Sequence, residues 1–414
     1  MIIWRNVVFF LASTSLALSG CSTSSNSTGG AGSKSGSGGS AASKAGGAGH
    51  GSAGSAGASK SGGATGAAGS GATGGKPPFM PTGSPLTGPD GAWTFVGFPD
   101  SKCRDGSTAG VAVNLKPGSK KVMIYLEGGG ACFDTFTCLA NASNTSSMMM
   151  PAAAGILDRS NAENPVKDWN FVYVPYCTGD VHLGTKDDGM IAGVAGTQHF
   201  MGRRNLEAYL NRLVPTFPDA DEVLLTGVSA GGFGASANAE FVQWAFGDIP
   251  VSMIDDSGPA MSDKYIPTCL QKAWRTTWGL DGSVLQDCGA DCPDPDNFEM
   301  DYMKHMAGKA MNRPAGLIEA TTDSTITVFY GYGTNNCTGN FATPVPGATF
   351  TQGLLDFRAA IQMLYPNFGT YYITSSQHTW LGGASFYSTT VGGMRMVDWF
   401  KNIVTGTSAT QVGP

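Results

Sequence analysis

Long apolar runs are almost absent from this 414-residue chain. The one that exists lies at the N-terminus, which excludes a protein that crosses a membrane many times. Basic charge is scarce as well. Of the 25 Lys and Arg residues, five (Arg5, Lys34, Lys44, Lys60 and Lys76) fall within the first 76 positions, where no acid stands. The remaining 20 face all 31 Asp and Glu, so residues 77–414 carry a net charge of −11. Such a body lacks the cations that neutralise phosphates, which argues against a nucleic-acid partner. It also lacks the charge to dock on anionic lipid. No repeat at solenoid or propeller periods is present. No second Cys or His pair follows Cys288-x₃-Cys292 at zinc spacing, so no metal and no cofactor is expected. Only five His residues exist: His50, His182, His199, His305 and His378.

What is present begins with an address. Arg5 and the apolar core Val7 to Leu18 read as an export signal over residues 1–20. It ends in Leu18-Ser19-Gly20-Cys21, which is similar to the lipobox of bacterial lipoproteins. Cys21 is therefore the expected lipid attachment site, and acyl burial at ~0.8 kcal/mol per CH₂ would provide the membrane contact. Ser22 follows where many inner-membrane lipoproteins carry Asp, so the expected place is the outer membrane or cell surface. Residues 21–76 are almost entirely Gly, Ser and Ala, with no aromatic residue. That composition cannot offset chain entropy and predicts a disordered tether with a span of roughly 40 Å.

Residues 77–414 are enough for one large domain. Eight Cys stand there: Cys103, Cys132, Cys138, Cys177, Cys269, Cys288, Cys292 and Cys337. In an exported chain they read as up to four disulfides. Sequence does not choose the pairing, although 132/138 and 288/292 are close enough for local loops. Apolar runs at 121–126, 171–175, 222–225, 250–254, 316–320 and 370–374 alternate with helical patterns at 203–214 and from after Gly232 to about 246. The pattern predicts an α/β fold, with a mostly parallel sheet covered by helices on both faces. Residues 260–312 are rich in Cys, Pro and Asp and read as an irregular insertion.

Gly227-Val228-Ser229-Ala230-Gly231 has the G-x-S-x-G form of a nucleophile elbow. It stands where the form requires, after an apolar strand and before a long helix. Ser229 is the candidate nucleophile. The N–H of Ala230 is one candidate donor to an oxyanion, and the loop Leu126-Glu127-Gly128-Gly129-Gly130 is the candidate source of another. His378 follows a late strand and is the candidate base. For the acid that orients it, Asp323 and Asp256 each follow a strand between Ser229 and His378, and position favours Asp323 modestly. His182 ends a strand at the same end of the sheet and could line the pocket. Phe133, Phe136 and Trp380 are further candidates for a cleft wall, though aromatics are more often core. His199 and His305 read as structural.

These segments together resemble the pectin acetylesterase/Notum family of α/β-hydrolase-fold carboxylesterases. Trp93 to Phe95, with Ser101 to Gly106, looks like the family's entry segment. Leu126 to Cys132 is similar to L-E-G-G-G-W-C, and Tyr176 to Gly184 to Y-C-[ST]-G-D-x-H-x-G. Gly227 to Gly232 is similar to G-x-S-A-G-G, and Asp256-Ser257-Gly258 to D-S-G. Asp323 sits where the family has the acid of D-x-x-Q, and His378 where its His stands. The resemblance implies a triad of Ser229, Asp323 and His378, with the oxyanion hole at Gly129, Gly130 and Ala230. It implies a pocket that includes Ala131, Asp180, His182 and Asp256. Ala131 replaces a Trp, so acyl length does not carry over. Ile326 replaces the Gln, removing a polar support near the acid. Family members act on O-acetylated pectin or remove a fatty acyl group from a signalling protein. For a tethered surface protein the expected substrate is an acylated polysaccharide, hydrolysed by a monomer. A non-catalytic binding module and a lipase are the alternatives.

Overall fold

The computed structural model describes residues 77–145, 150–309, 313–338 and 342–414. The expected signal 1–20, Cys21 and the tether 21–76 lie outside the described residues. Nine strands form the central sheet: β1 (Thr94–Lys102), β2 (Thr108–Asn114), β3 (Lys121–Leu126), β4 (Asn170–Val174), β5 (Glu222–Val228), β6 (Val251–Asp256), β7 (Ala315–Ala320), β8 (Phe368–Ile373) and β9 (Gln411–Val412). Their order across the sheet is β1-β2-β4-β3-β5-β6-β7-β8-β9. β1 and β2 form an antiparallel hairpin, and β2 meets β4 antiparallel. Every neighbour from β4 onward is parallel. This is the mostly parallel sheet that the alternation of elements predicts.

Period-two geometry decides what each strand feeds. Val122, Ile124 and Leu126 of β3 enter one core, and Met123 and Tyr125 enter the other. Val223 and Leu225 of β5 join the first and Leu224 the second. Because both faces are covered, these strands read as unbroken apolar runs rather than alternations. The first face carries α2 (Gly202–Thr216), α3 (Ala230–Phe246), α4 (Thr268–Trp278), α6 (Glu299–Lys309) and α8 (Gly347–Leu364). The second carries α10 (Met396–Val404). Met396, Val397, Phe400, Ile403 and Val404 of α10 share one buried face at helical spacing. The short helices α1 (Thr135–Ala140), α5 (Val284–Cys288), α7 (Ile326–Gly331) and α9 (Ser385–Ser388) complete the set.

The insertion 260–312 is more regular than its composition suggests, since it holds α4, α5 and α6. Trp274, Trp278 and Tyr302 bury large areas there, and that burial outweighs the turn-forming residues between them. All eight Cys are paired: Cys103–Cys177, Cys132–Cys138, Cys269–Cys337 and Cys288–Cys292. Four disulfides mark a protein that matures in an oxidising compartment. Among the described residues, no helix is long and apolar enough to cross a membrane.

Candidate active site

Parallel strands deliver their C-terminal ends to one edge of the sheet, and the candidate residues collect there. Ser229 follows β5 directly and caps α3, at φ 56° and ψ −121°. A residue with a side chain rarely holds positive φ, so the turn stores strain. Two neighbours over-determine it. The Ser229 N–H donates to the Asp256 carbonyl at 2.7 Å. The loop after β3 presses against the turn, and a Cβ on Gly128 would lie 2.4 Å from the Val228 carbonyl oxygen and 2.9 Å from Ser229 Cβ. Only glycine permits that approach. Gly130, at φ 84°, then turns the loop along the cavity wall.

His378 sits in the loop after β8. Its Nδ1 lies 2.7 Å from Asp323 Oδ2. Asp323 is fully buried, and its Oδ1 accepts the N–H groups of Thr325 and Ile326 at 2.7 and 2.8 Å. Main-chain donors thus provide the polar support that the Ile326 side chain cannot. The neighbouring Glu319 carboxyl is raised well above its ordinary range by burial and by the Asp323 charge. His378 Nε2 is buried without a hydrogen-bond partner among the described residues. No hydrogen bond joins it to Ser229 Oγ, a contact that free enzymes often hold long and tighten on substrate.

Asp256, the rival acid, does not hydrogen-bond the imidazole. Its Oδ2 accepts the N–H groups of Trp380 and Leu381, each at 2.7 Å, and its Oδ1 accepts from Ser257 Oγ at 3.0 Å. Ser257 Oγ in turn accepts the Thr379 N–H at 3.2 Å. The end of β6 therefore fixes the loop just beyond His378, while its main chain fixes Ser229. Burial raises Asp256 to about 6, against the pull of those N–H donors.

Ser229 opens on a cavity with an empty volume of about 420 Å³, its mouth included. Gly130, Ala131 and Ala230 line it, with Val181, Phe233, Trp274, Trp278, Glu299, Ile326, Phe329 and Tyr330. Ala131 leaves open the space a larger side chain would fill.

Three residues suggested for the pocket lie off this wall. Asp180 is buried and accepts from Thr178 Oγ1 at 2.6 Å and from the Gly202 N–H at 2.8 Å, so it ties the β4 loop to α2. His182 is buried, with Nε2 2.8 Å from the Glu127 carbonyl, and desolvation lowers it to about 4. It therefore stays neutral and braces the glycine loop. Asp256 binds the His378 loop. Gly129 is also off the wall, and its carbonyl accepts from Asn141 Nδ2 at 2.6 Å. The aromatic candidates differ too. Phe133 packs edge-on behind Trp274 and Trp278, Phe136 is exposed, and Trp380 is buried in the opposite core. His199 pairs with Asp187, and His305 lies between Asp291 and Glu240.

Sequence reading missed the wall supplied by α4, α6 and α7. Its members are far apart in the chain, and Glu299 gives no local signal. The anchoring role of Asp256 and Ser257 was within reach, since both stand in the D-S-G motif.

A family model described as Pectinacetylesterase matches residues 94–349. A stretch of 211 residues is 29% identical to the palmitoleoyl-protein carboxylesterase NOTUM of Drosophila melanogaster, covering 46% of this chain and 31% of that protein. The notum2 carboxylesterase of Xenopus laevis is 36% identical over 153 residues, 34% of this chain and 30% of that protein. The chain thus spans about a third of the length of the curated relatives it matches. The solved structure titled as the Wnt deacylase Notum from Drosophila superposes with a TM-score of 0.61 at 21% identity, covering 77% of this chain and 95% of that one. That likeness shows the fold.

Two outcomes follow from the site. Asp256→Ala releases the His378 loop, and a misplacement of about 1 Å costs roughly 10²-fold in rate. Ester kinetics should show that loss in kcat with KM little changed; a kcat within twofold of wild type would refute the anchor. The second outcome concerns stability. Burial raises Glu127 and Glu299 to about 7, and Asp180 and Asp256 to about 6. The unfolded chain ionises these groups near 4, so between pH 4 and 7 the folded state holds more protons and stability falls as pH rises. His182 acts in the opposite sense over the same range, but the buried carboxyls of Asp255 and Glu319, raised as well, act with the other four. Calorimetry should find the highest Tm near pH 4–5 and a decline towards pH 8, with about 1–2 °C lost per kcal/mol in a domain of this size. A Tm that climbs from pH 5 to 8 would contradict the assignment.

Proposed function

The chain belongs to the pectinacetylesterase family, and on that premise we propose that it is a serine carboxylesterase that removes short O-acyl groups from an extracellular polysaccharide. The observation that carries the reading is the Asp323–His378 hydrogen bond, with the imidazole Nε2 left free, at the edge of the sheet where Ser229 opens on the cavity. In the first step Ser229 Oγ bonds to the ester carbonyl carbon as His378 Nε2 takes its proton. Asp323 holds the ring in the required tautomer and stabilises the imidazolium. The N–H groups of Ala230 and of the 129–130 loop meet the oxyanion. The carbon–oxygen bond to the sugar then breaks, and the proton on His378 passes to the leaving alcohol. Water attacks the acyl-enzyme by the same route, releasing the acid and restoring Ser229.

The cavity supports a second reading. Its wall of Phe233, Trp274, Trp278, Phe329 and Tyr330 is also suited to a longer chain, as the palmitoleoyl-protein relatives would require. We assign the domain to residues 77–414, carried on the 21–76 tether and held at the cell envelope through lipid on Cys21.

The test compares the protein with Ser229→Ala on p-nitrophenyl acetate, butyrate and longer esters, and follows acetate release from acetylated pectin and xylan. The proposal expects short esters to be favoured, with polysaccharide release, and at least a 10³-fold loss in Ser229→Ala. Rates that rise steadily with chain length would favour the second reading. A folded protein no faster than Ser229→Ala on every ester would leave a binding module.

A further inference from the structure

The cavity beside Ser229 is not uniformly apolar. Gly130, Ala131, Val181, Ala230, Phe233, Ile326 and Phe329 bring no side-chain polar atom to its wall. The polar atoms of two other wall residues are already engaged: Tyr330 donates its hydroxyl hydrogen to the Pro259 carbonyl, and Trp278 Nε1 donates to the Cys132 carbonyl at 2.8 Å. Besides Ser229, that leaves Trp274 and Glu299. Trp274 is 5% exposed, and its Nε1 is buried without a hydrogen-bond partner among the described residues. The Glu299 carboxyl has no hydrogen bond or ion pair among the described residues, and burial alone raises it to about 7.

Both residues line the same cavity. The Glu299 N–H donates to Gln271 Oε1 at 3.1 Å. Gln271 and Trp274 are one turn apart on α4, and both are buried. The start of α6 is thereby docked on the α4 face that carries Trp274. A buried N–H donor left unmatched costs free energy unless something meets it, and the half-buried Glu299 lines the same cavity.

We propose, resting on the esterase reading above, that Trp274 and Glu299 form a polar subsite that selects acyl groups bearing a hydroxyl, so that the preferred substrates are hydroxyacyl esters. A hydroxyl is the group that matches both partners, because its oxygen accepts from the indole N–H while its hydrogen goes to the carboxyl. A plain hydrocarbon chain leaves both unmet. An ammonium satisfies Glu299 but cannot accept from Trp274, and a second carboxylate is repelled by Glu299. The chemistry is unchanged: Ser229 and then water displace the sugar alcohol and the acid, and the released acid is a hydroxy acid.

The test uses p-nitrophenyl 3-hydroxybutyrate against its isostere p-nitrophenyl isovalerate, with p-nitrophenyl acetate as a check on general esterase activity. The proposal expects kcat/KM to favour the hydroxy ester by about tenfold or more. It expects the ratio to fall to about one or below in both Glu299→Leu and Trp274→Phe, and to be partly kept in Glu299→Gln. Acetate turnover with a wild-type ratio near one, or a ratio that survives Glu299→Leu, overturns the subsite and leaves the esterase standing. Absence of turnover on all three esters instead removes the esterase reading. In either case ligand-observed NMR on Ser229→Ala reads the pocket without turnover, using methyl 3-hydroxybutyrate and methyl isovalerate. Equal binding of the two overturns the subsite there as well.

Discussion

The rest of the site depends on one buried carboxylate. Asp256 ends β6, its carbonyl accepts the N–H of Ser229, and its side chain accepts the N–H groups of Trp380 and Leu381. Three separate strand ends are thereby held in one register: the elbow after β5, the turn after β6 and the His378 loop after β8. Asp323 then needs only to orient a ring whose backbone is already placed. Trp380 and Leu381 are buried in the core on the second face, so the loop is fixed by packing on one side and by charge on the other. The carboxylate is itself desolvated, which is tolerable because its oxygens are occupied by hydrogen-bond donors.

The same economy governs the other half of the site. Strain at Ser229 persists because its surroundings over-determine it. The glycine loop approaches Ser229 closely because Gly128 has no side chain, and His182 braces that loop through the Glu127 carbonyl. The Cys132–Cys138 disulfide closes the turn that follows. Flexible glycines thus end in a fixed arrangement, as a preorganised oxyanion site requires. The far wall of the cavity comes from a different part of the chain, the helices α4, α6 and α7.

Much of the sheet was legible because strands buried on both faces show as plain apolar runs, as at 121–126 and 222–225. The elbow was legible because its chemistry demands Gly, Ser and small residues at fixed spacing. The insertion was less so. In 260–312 the turn-forming Pro, Asp and Gly residues lie between helices whose stability comes from buried Trp and Tyr, a tertiary effect that local composition does not report. The pairings Cys103–Cys177 and Cys269–Cys337 close long loops, and nothing local marks them. The proximity of Asp256 to residues 379–381 is likewise a consequence of strand order. A reader of the sequence sees two acids after two strands, and only register distinguishes the one that reaches the imidazole from the one that holds its loop.

The central claim is that Ser229 is a nucleophile activated by His378. The most direct measurement is covalent trapping with a fluorophosphonate, read by intact mass and peptide mapping. The account predicts a single adduct, on Ser229, forming at least 10²-fold more slowly in His378→Ala. Complete resistance of the folded protein, or an adduct on another residue with Ser229 unmodified, would contradict it.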